Sequence, residues 1–161
     1  MARQPRLTVA GEVHHVLLRG HNGQVVFADD ADRAAFVELL REPAVRQGVA
    51  VHAYALLGSE VHLLATPGET ESLARLMQSI GRRYVALFSH RHARRGTLWD
   101  GRFRNSILDS RSLLLAATLH IETLPVRAGL VADAPEWPWS SAGHHVGRRR
   151  DPLLTDHALY W

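Results

Sequence analysis

The chain has 161 residues, 46% hydrophobic and 22% charged, a balance that suits one packed domain rather than disorder, and no apolar run is long enough to span a bilayer. It has no cysteine, which excludes disulfides, thiolate nucleophiles and cysteine-ligated zinc. Net charge is only +3, yet all 19 basic residues are arginine, the side chain best shaped for bidentate contact with phosphate.

Genome composition accounts for much of that arginine excess, so its distribution says more than its total. The opening MARQPRLTVAG carries charge but no apolar segment behind it, which argues against a secretion signal and for a cytoplasmic location. Val13 to Leu18 is short, apolar and followed by the turn-forming HNGQ, so it reads as a strand. His14 and His15 within it must point to opposite faces. Asp29, Asp30 and Asp32 offer N-caps for a helix running to about Arg41. Val49 to Leu57 is a second strand, Gly58-Ser59 a hairpin turn, and Glu60 to Thr66 its antiparallel partner, closed by Pro67-Gly68. The clearest helix spans about Glu71 to His92, where Leu73, Leu76, Met77, Ile80, Tyr84, Leu87 and Phe88 form one stripe. Within Gly96 to Asp109, the alternation at Phe103 to Ile107 marks a fourth strand. Ser110 caps a helix to about Thr123, which Pro125 stops. Ala134 to His145, rich in Pro and Trp, reads as a loop, and LLTDHALYW as a docked or mobile tail.

The order is βαββαβ with one extra helix. It predicts an α+β, ferredoxin-like sandwich, an antiparallel sheet with helices on one face. One domain is expected over residues 1–161, with a core at about 12–142 and a tail at 143–161.

Three groups carry candidate chemistry. Glu60 and His62 are two apart on a strand and so share a face; a wet strand face often looks the same. His120 lies on the apolar stripe of its helix, where a lone histidine is usually a satisfied core residue. Seven arginines fall between Arg82 and Arg104 with Asp100 the only acid among them, and Trp99 to Arg104 interleaves arginine with aromatics. Such a patch suits a nucleic-acid backbone, and a solvated helix face explains it about as well. There is no HExxH pattern, phosphate-binding glycine loop, GxSxG elbow or dinucleotide fingerprint.

Taken together, ordered motifs along the chain resemble the REP-associated tyrosine transposases, within the single-tyrosine HUH transposases of bacterial insertion sequences. They are His15-Val16 with Arg19-Gly20, Phe27 to Asp30 with Asp32-Arg33 and Phe36, Ala53-Tyr54, Leu73 to Tyr84, Gly96 to Phe103, Pro125 to Val131, and Trp139-Ser140-Ser141. The resemblance implies a ferredoxin-like fold and action on single-stranded DNA, often beside a hairpin, in DNA transposition and recombination. It implies a His-hydrophobic-His pair and a polar helix residue that hold Mg²⁺ or Mn²⁺. It also implies a tyrosine on that helix which attacks the scissile phosphate, and a homodimer in many members.

The chemical positions depart from that pattern. The strand motif Pro-Asn-His-Val-His is here Gly58-Ser59-Glu60-Val61-His62. The helix motif Tyr-Ile-Glu-Leu-Asn-Pro-Val-Arg is here His120-Ile121-Glu122-Thr123-Leu124-Pro125-Val126-Arg127. His120 stands at the tyrosine position and Leu124 at the asparagine position, so loss of tyrosine chemistry is expected. Glu60, His62 and His120 form a candidate metal set, with Zn²⁺ as well as Mg²⁺ or Mn²⁺ conceivable, beside a hydrogen-bonded cluster without metal. Arg82, Arg83, Arg102 and Arg104 are the candidate DNA contacts. The expected function is binding of single-stranded or hairpin DNA with an altered nuclease site. The alternatives are a domesticated, non-enzymatic DNA-binding regulator and a metal-dependent nuclease that uses water.

Overall fold

The computed structural model describes residues 7–160; Met1 to Arg6, which open the N-terminal segment, and Trp161 of the tail lie outside the described residues. In chain order come β1 (Val13–Arg19), α1 (Asp30–Arg46), β2 (Val49–Leu56), β3 (Glu60–Pro67), α2 (Ser72–Arg91), β4 (Arg104–Leu108), α3 (Arg111–Arg127) and the short α4 (Ala142–His145). The strands form one antiparallel sheet in the order β2-β3-β1-β4. This is the predicted ferredoxin-like arrangement.

Strand alternation assigns the two faces. Val16 and Leu18 of β1 and Val61, Leu63 and Ala65 of β3 enter one core, with Phe36 and Leu40 of α1 and Leu73, Leu76, Ile80 and Tyr84 of α2. On the other face Val13, Ala53, Ala55 and Leu64 pack against Leu114 and Ile121 of α3. The expectation of helices on one face therefore holds for α1 and α2, whereas α3 adds a layer behind the sheet. Its buried residues, Leu114, Ile121 and Pro125, make a single narrow stripe, which suffices to cover β2 and β3. Toward β1 and β4 no other described element covers the same sheet face, and Arg19, Arg104 and Ser106 are exposed there.

The predicted ends of α1 and α3, the second of them read from Pro125, both move. α1 runs past Arg41 through Pro43 to Arg46, and α3 runs past Thr123 through Pro125 to Arg127. An interior proline removes one backbone hydrogen bond, but both rings are buried, and that packing offsets the loss. The helices end instead just before left-handed glycines, Gly48 at φ +68 and Gly129 at φ +75. The N-caps are as predicted: Asp29 accepts from Asp32 N at 3.0 Å and Ser110 from Leu113 N at 3.2 Å.

Tight contacts seat the turn after β1. A Cβ at Gly20 would lie 2.1 Å from the Gln24 carbonyl oxygen, so only glycine fits there. The Leu57 amide donates to Glu60 O at 2.9 Å across Gly58-Ser59, the two-residue turn expected between β2 and β3. Tyr84 is fully buried with its hydroxyl on Val26 O, and its ring sits among Phe27, Phe36 and Trp99 at centroid distances of 5.2–6.0 Å. It is core and makes no surface available for DNA. Ala134 to His145, read as a loop, contains a 3-10 turn at Ala134–Glu136 as well as α4. The tail is docked: Leu153 is buried, Thr155 N donates to Val51 O at 2.8 Å, and His52 Nδ1 donates to Thr155 O at 2.7 Å.

A buried carboxylate ties α1 to α2. Asp32 has no exposed side-chain area; it accepts from Ala28 N at 2.8 Å, from Arg91 at 2.6 Å and from His92 Nε2 at 2.8 Å. Removing the carboxylate strands the Ala28 amide and leaves Arg91 with Asp29 alone. Asp32→Ala is expected to lower unfolding stability by about 1–3 kcal/mol, read as a shifted urea midpoint; a loss below about 0.5 kcal/mol would show that the network is not holding the helices together.

Candidate functional site

The β1–β3 register pairs Arg19 with Glu60 and Leu17 with His62, and places His15 opposite Leu64, one diagonal step from His62. Alternation turns Arg19, His15, Glu60 and His62 to the α3 side of the sheet. There they form a chain of contacts. Arg19 Nε is 3.2 Å from Glu60 Oε1, Glu60 Oε2 is 2.9 Å from His62 Nε2, and His62 Nδ1 is 3.1 Å from His15 Nε2. The His15 and His62 rings stack at 5.4 Å, and the His120 ring stands edge-on to both, at 6.5 and 6.4 Å.

The proton positions follow from these partners. A carboxylate only accepts, so His62 carries its hydrogen on Nε2. Burial lowers the His62 pKa despite Glu60, which keeps the ring neutral and leaves Nδ1 bare. His15 Nε2 must then donate to it. Burial, with the neighbouring His62 and His120, takes the His15 pKa down to about 4. Across the gap, Arg127 donates to His120 Nδ1 at 3.0 Å and to His120 O at 2.6 Å. An arginine only donates, so His120 Nδ1 is the acceptor and the ring hydrogen lies on Nε2.

His120 and Arg127 lie two turns apart on one flank of α3, and both are exposed. His120 is thus not the inward-pointing core residue that its stripe suggested. Leu124, at the asparagine position, is half-buried on the same flank. Glu60 does not face His120; it turns to Arg19 and His62. Glu122 occupies the opposite flank, where Ser141 Oγ donates to it at 2.6 Å and His145 Nδ1 also bonds to it. The motif residues Glu122 and Ser141 thereby pin the Trp139–Ser141 segment to α3.

The four candidate arginines are exposed and take no part in the hydrogen bonds or ion pairs among the described residues. Structure separates them by place. Arg104 stands opposite Leu17 and so shares the face of the cluster. Arg82 and Arg83 ride on α2, on the other side of the sheet. Arg102 lines a cavity of about 500 Å³ between α2 and the Trp99–Phe103 segment. By contrast Arg91 is bound to Asp29 and Asp32, and Arg94 to Gln24 and Thr97.

None of the three tyrosines reaches the cluster. Tyr54 and Tyr84 belong to the core under α1 and α2, and burial raises both phenols far above their usual pKa. Tyr160 bonds to Thr118 at 3.0 Å behind α3, with its pKa pushed up to about 12 by burial.

No family model and no curated protein matches the chain. Solved structures do. A REP-associated tyrosine transposase bound to a REP hairpin superposes with a TM-score of 0.71 at 17% identity, over 99% of this chain and 96% of that one. The protein has the transposase fold. A Deinococcus radiodurans protein assigned to the transposases aligns with a TM-score of 0.51 at 19% identity, over 74% of this chain and 95% of that one. No helix among the described residues is long and apolar enough to cross a membrane.

A divalent ion at this cluster would need several lone pairs aimed at one point. His62 spends both nitrogens on Glu60 and His15, and the His120 Nδ1 lone pair is taken by Arg127. Among the described residues no three His, Asp or Glu side chains are grouped to hold a metal ion. As placed, the residues do not fit the metal.

His15 is the site residue that sequence reasoning passed over. The signal was present in its parity: it is four residues from Arg19 and so shares that residue's face. Seeing it required the β1–β3 register, which no local pattern supplies.

Burial lowers the pKa of His14, His15, His52 and His62 from 6.5. The unfolded chain then takes up protons near pH 6.5 that the folded chain refuses until lower pH. Stability from these groups is full above pH 6.5 and is lost as pH falls toward the folded values, about 4 for His15. His145 opposes this; burial would lower its pKa, but Glu122 and Asp156 outweigh burial and raise it. Four against one, the urea midpoint is expected to drop between about pH 7 and 5, with a shallower drop in His52→Gln. A midpoint that rises on acidification would contradict the assignment of neutral, buried rings.

Proposed function

We propose that the protein binds single-stranded or hairpin DNA across the open face of β1 and β4, and that it does not carry out tyrosine-dependent strand transfer. The observation that carries this reading is the transposase fold with the unpaired Arg104 on that face and a cluster that no tyrosine approaches. A chain of the same fold is described bound to a REP hairpin, and the expected DNA partner goes with a cytoplasmic location. The phosphate backbone supplies most of such affinity, through arginine.

Binding without covalent chemistry favours a non-enzymatic, domesticated DNA-binding regulator over the nuclease alternative. A water-using nuclease needs a base and an activated water. The neutral cluster holds one bare imidazole nitrogen, His15 Nδ1, outside its internal hydrogen bonds, which gives that reading less support.

A labelled hairpin with a single-stranded 5′ extension tests both parts. It is expected to shift in a titration and to run unmodified on a denaturing gel, with or without Mn²⁺. A protein–DNA adduct surviving denaturation would overturn the loss of strand transfer. Cleavage without an adduct, lost in His62→Ala, would instead establish the hydrolytic reading. Arg104→Ala, on the face of the cluster, is expected to weaken binding across sequences and to lower the log–log salt slope by roughly 1; Arg82→Ala, on the other side of the sheet, should do less.

A further inference from the structure

The cluster offers hydrogen-bond donors where a metal site must offer lone pairs. Of the groups bonded into it, Glu60 is the one carboxylate, and Arg19 already matches its charge at 3.2 Å. Arg127 adds a positive charge at its α3 end, and Arg104 faces the same side from β4. A divalent cation entering there meets repulsion from these guanidinium groups, with no unmatched anion to offset it. An anion meets the reverse: the Nη1 and Nε groups of Arg127, the free Arg104 and the Nε2–H of His120 are all donors on exposed side chains.

We infer that this chain docks a DNA phosphate at the cluster without a resident divalent metal, with Arg127 and His120 standing where the cation would otherwise neutralise it. The inference rests on the DNA-binding reading for the source of the phosphate, while the anion preference stands on the side chains alone. Glu60, His62 and His15 then serve as a neutral, hydrogen-bonded floor. Their function is to fix the rings and deny the lone pairs to metal. Arg127 has a double part: its bonds to the His120 carbonyl and Nδ1 hold the imidazole with its hydrogen on Nε2, while its remaining N–H groups are left for the ligand.

The test uses the intact protein with ¹⁵N-labelled histidine and three probes: Mn²⁺, inorganic phosphate and a DNA hairpin. Millimolar Mn²⁺ is expected to leave the ring signals of His15, His62 and His120 sharp, because no paramagnetic ion sits among them. Inorganic phosphate is expected to move the His120 signal. Hairpin affinity should agree within about twofold in EDTA and in Mn²⁺. Arg127→Gln should weaken the hairpin by about fivefold or more, with Arg127→Lys in between because it keeps the charge and loses the fork. Unchanged far-ultraviolet circular dichroism establishes that either variant is folded.

Selective broadening of His62 and His120 by Mn²⁺, abolished in His62→Ala, overturns the inference, as does a hairpin affinity that rises about tenfold or more with Mn²⁺. Should the hairpin fail to bind in either buffer, the DNA reading falls. The metal and phosphate titrations then decide the anion preference by themselves: sharp rings with a phosphate-shifted His120 sustain it, and an unmoved His120 refutes it.

Discussion

Arg19 stands opposite Glu60 in the β1–β3 ladder, and that pairing fixes everything on the open face of the sheet. It puts His15 within 3.1 Å of His62 and leaves Glu60 between a guanidinium and an imidazole. The polar residues do not set the register themselves. Val16, Leu18, Val61, Leu63 and Ala65 do, because a slip by one residue would carry them from the core under α1 and α2 to the wet side. Gly20, whose missing side chain lets the Gln24 carbonyl approach, and the Gly58-Ser59 turn hold the ends of the two strands in place. The apolar core on one face thus positions the chemistry on the other.

The second structural condition is the length of α3. If Pro125 ended the helix, Arg127 would have no fixed relation to His120. Because the buried proline is tolerated and the helix ends only before Gly129, the guanidinium comes round two turns beyond the imidazole and bonds to it. A single tolerated proline therefore decides whether His120 Nε2 carries a lone pair or a hydrogen. The sign of the ligand the site prefers follows from that choice, since a bare nitrogen attracts a cation and an N–H attracts an anion.

Arginine, so frequent in this chain, serves two separate purposes. Arg33 packs over Trp137 at 5.0 Å and pairs with Asp30, Arg91 closes the buried Asp32 network, and Arg149 bonds to backbone carbonyls around Ser140. These are internal struts. Arg82, Arg83, Arg102 and Arg104 are exposed and remain open to phosphate. Composition counts both kinds alike. Only the position of a carboxylate or carbonyl, often dozens of residues away in sequence, distinguishes them.

The sequence by itself determined the element order, the antiparallel hairpin and the stripe of α2, because periodicity and turn chemistry are local properties. It also determined that no tyrosine occupies the motif position at His120 and that Leu124 cannot ligate. Tertiary structure decided which face α3 covers, since an apolar stripe on a helix is indifferent to which side of a sheet it meets. It decided that both prolines are accommodated, because burial of the ring, invisible in sequence, offsets the lost hydrogen bond. It brought His15 into the cluster and turned Glu60 to Arg19 in place of His120, through strand register. Those contacts span up to 47 residues of sequence in the His15–His62 bond, and their energy depends on distances that no local pattern contains.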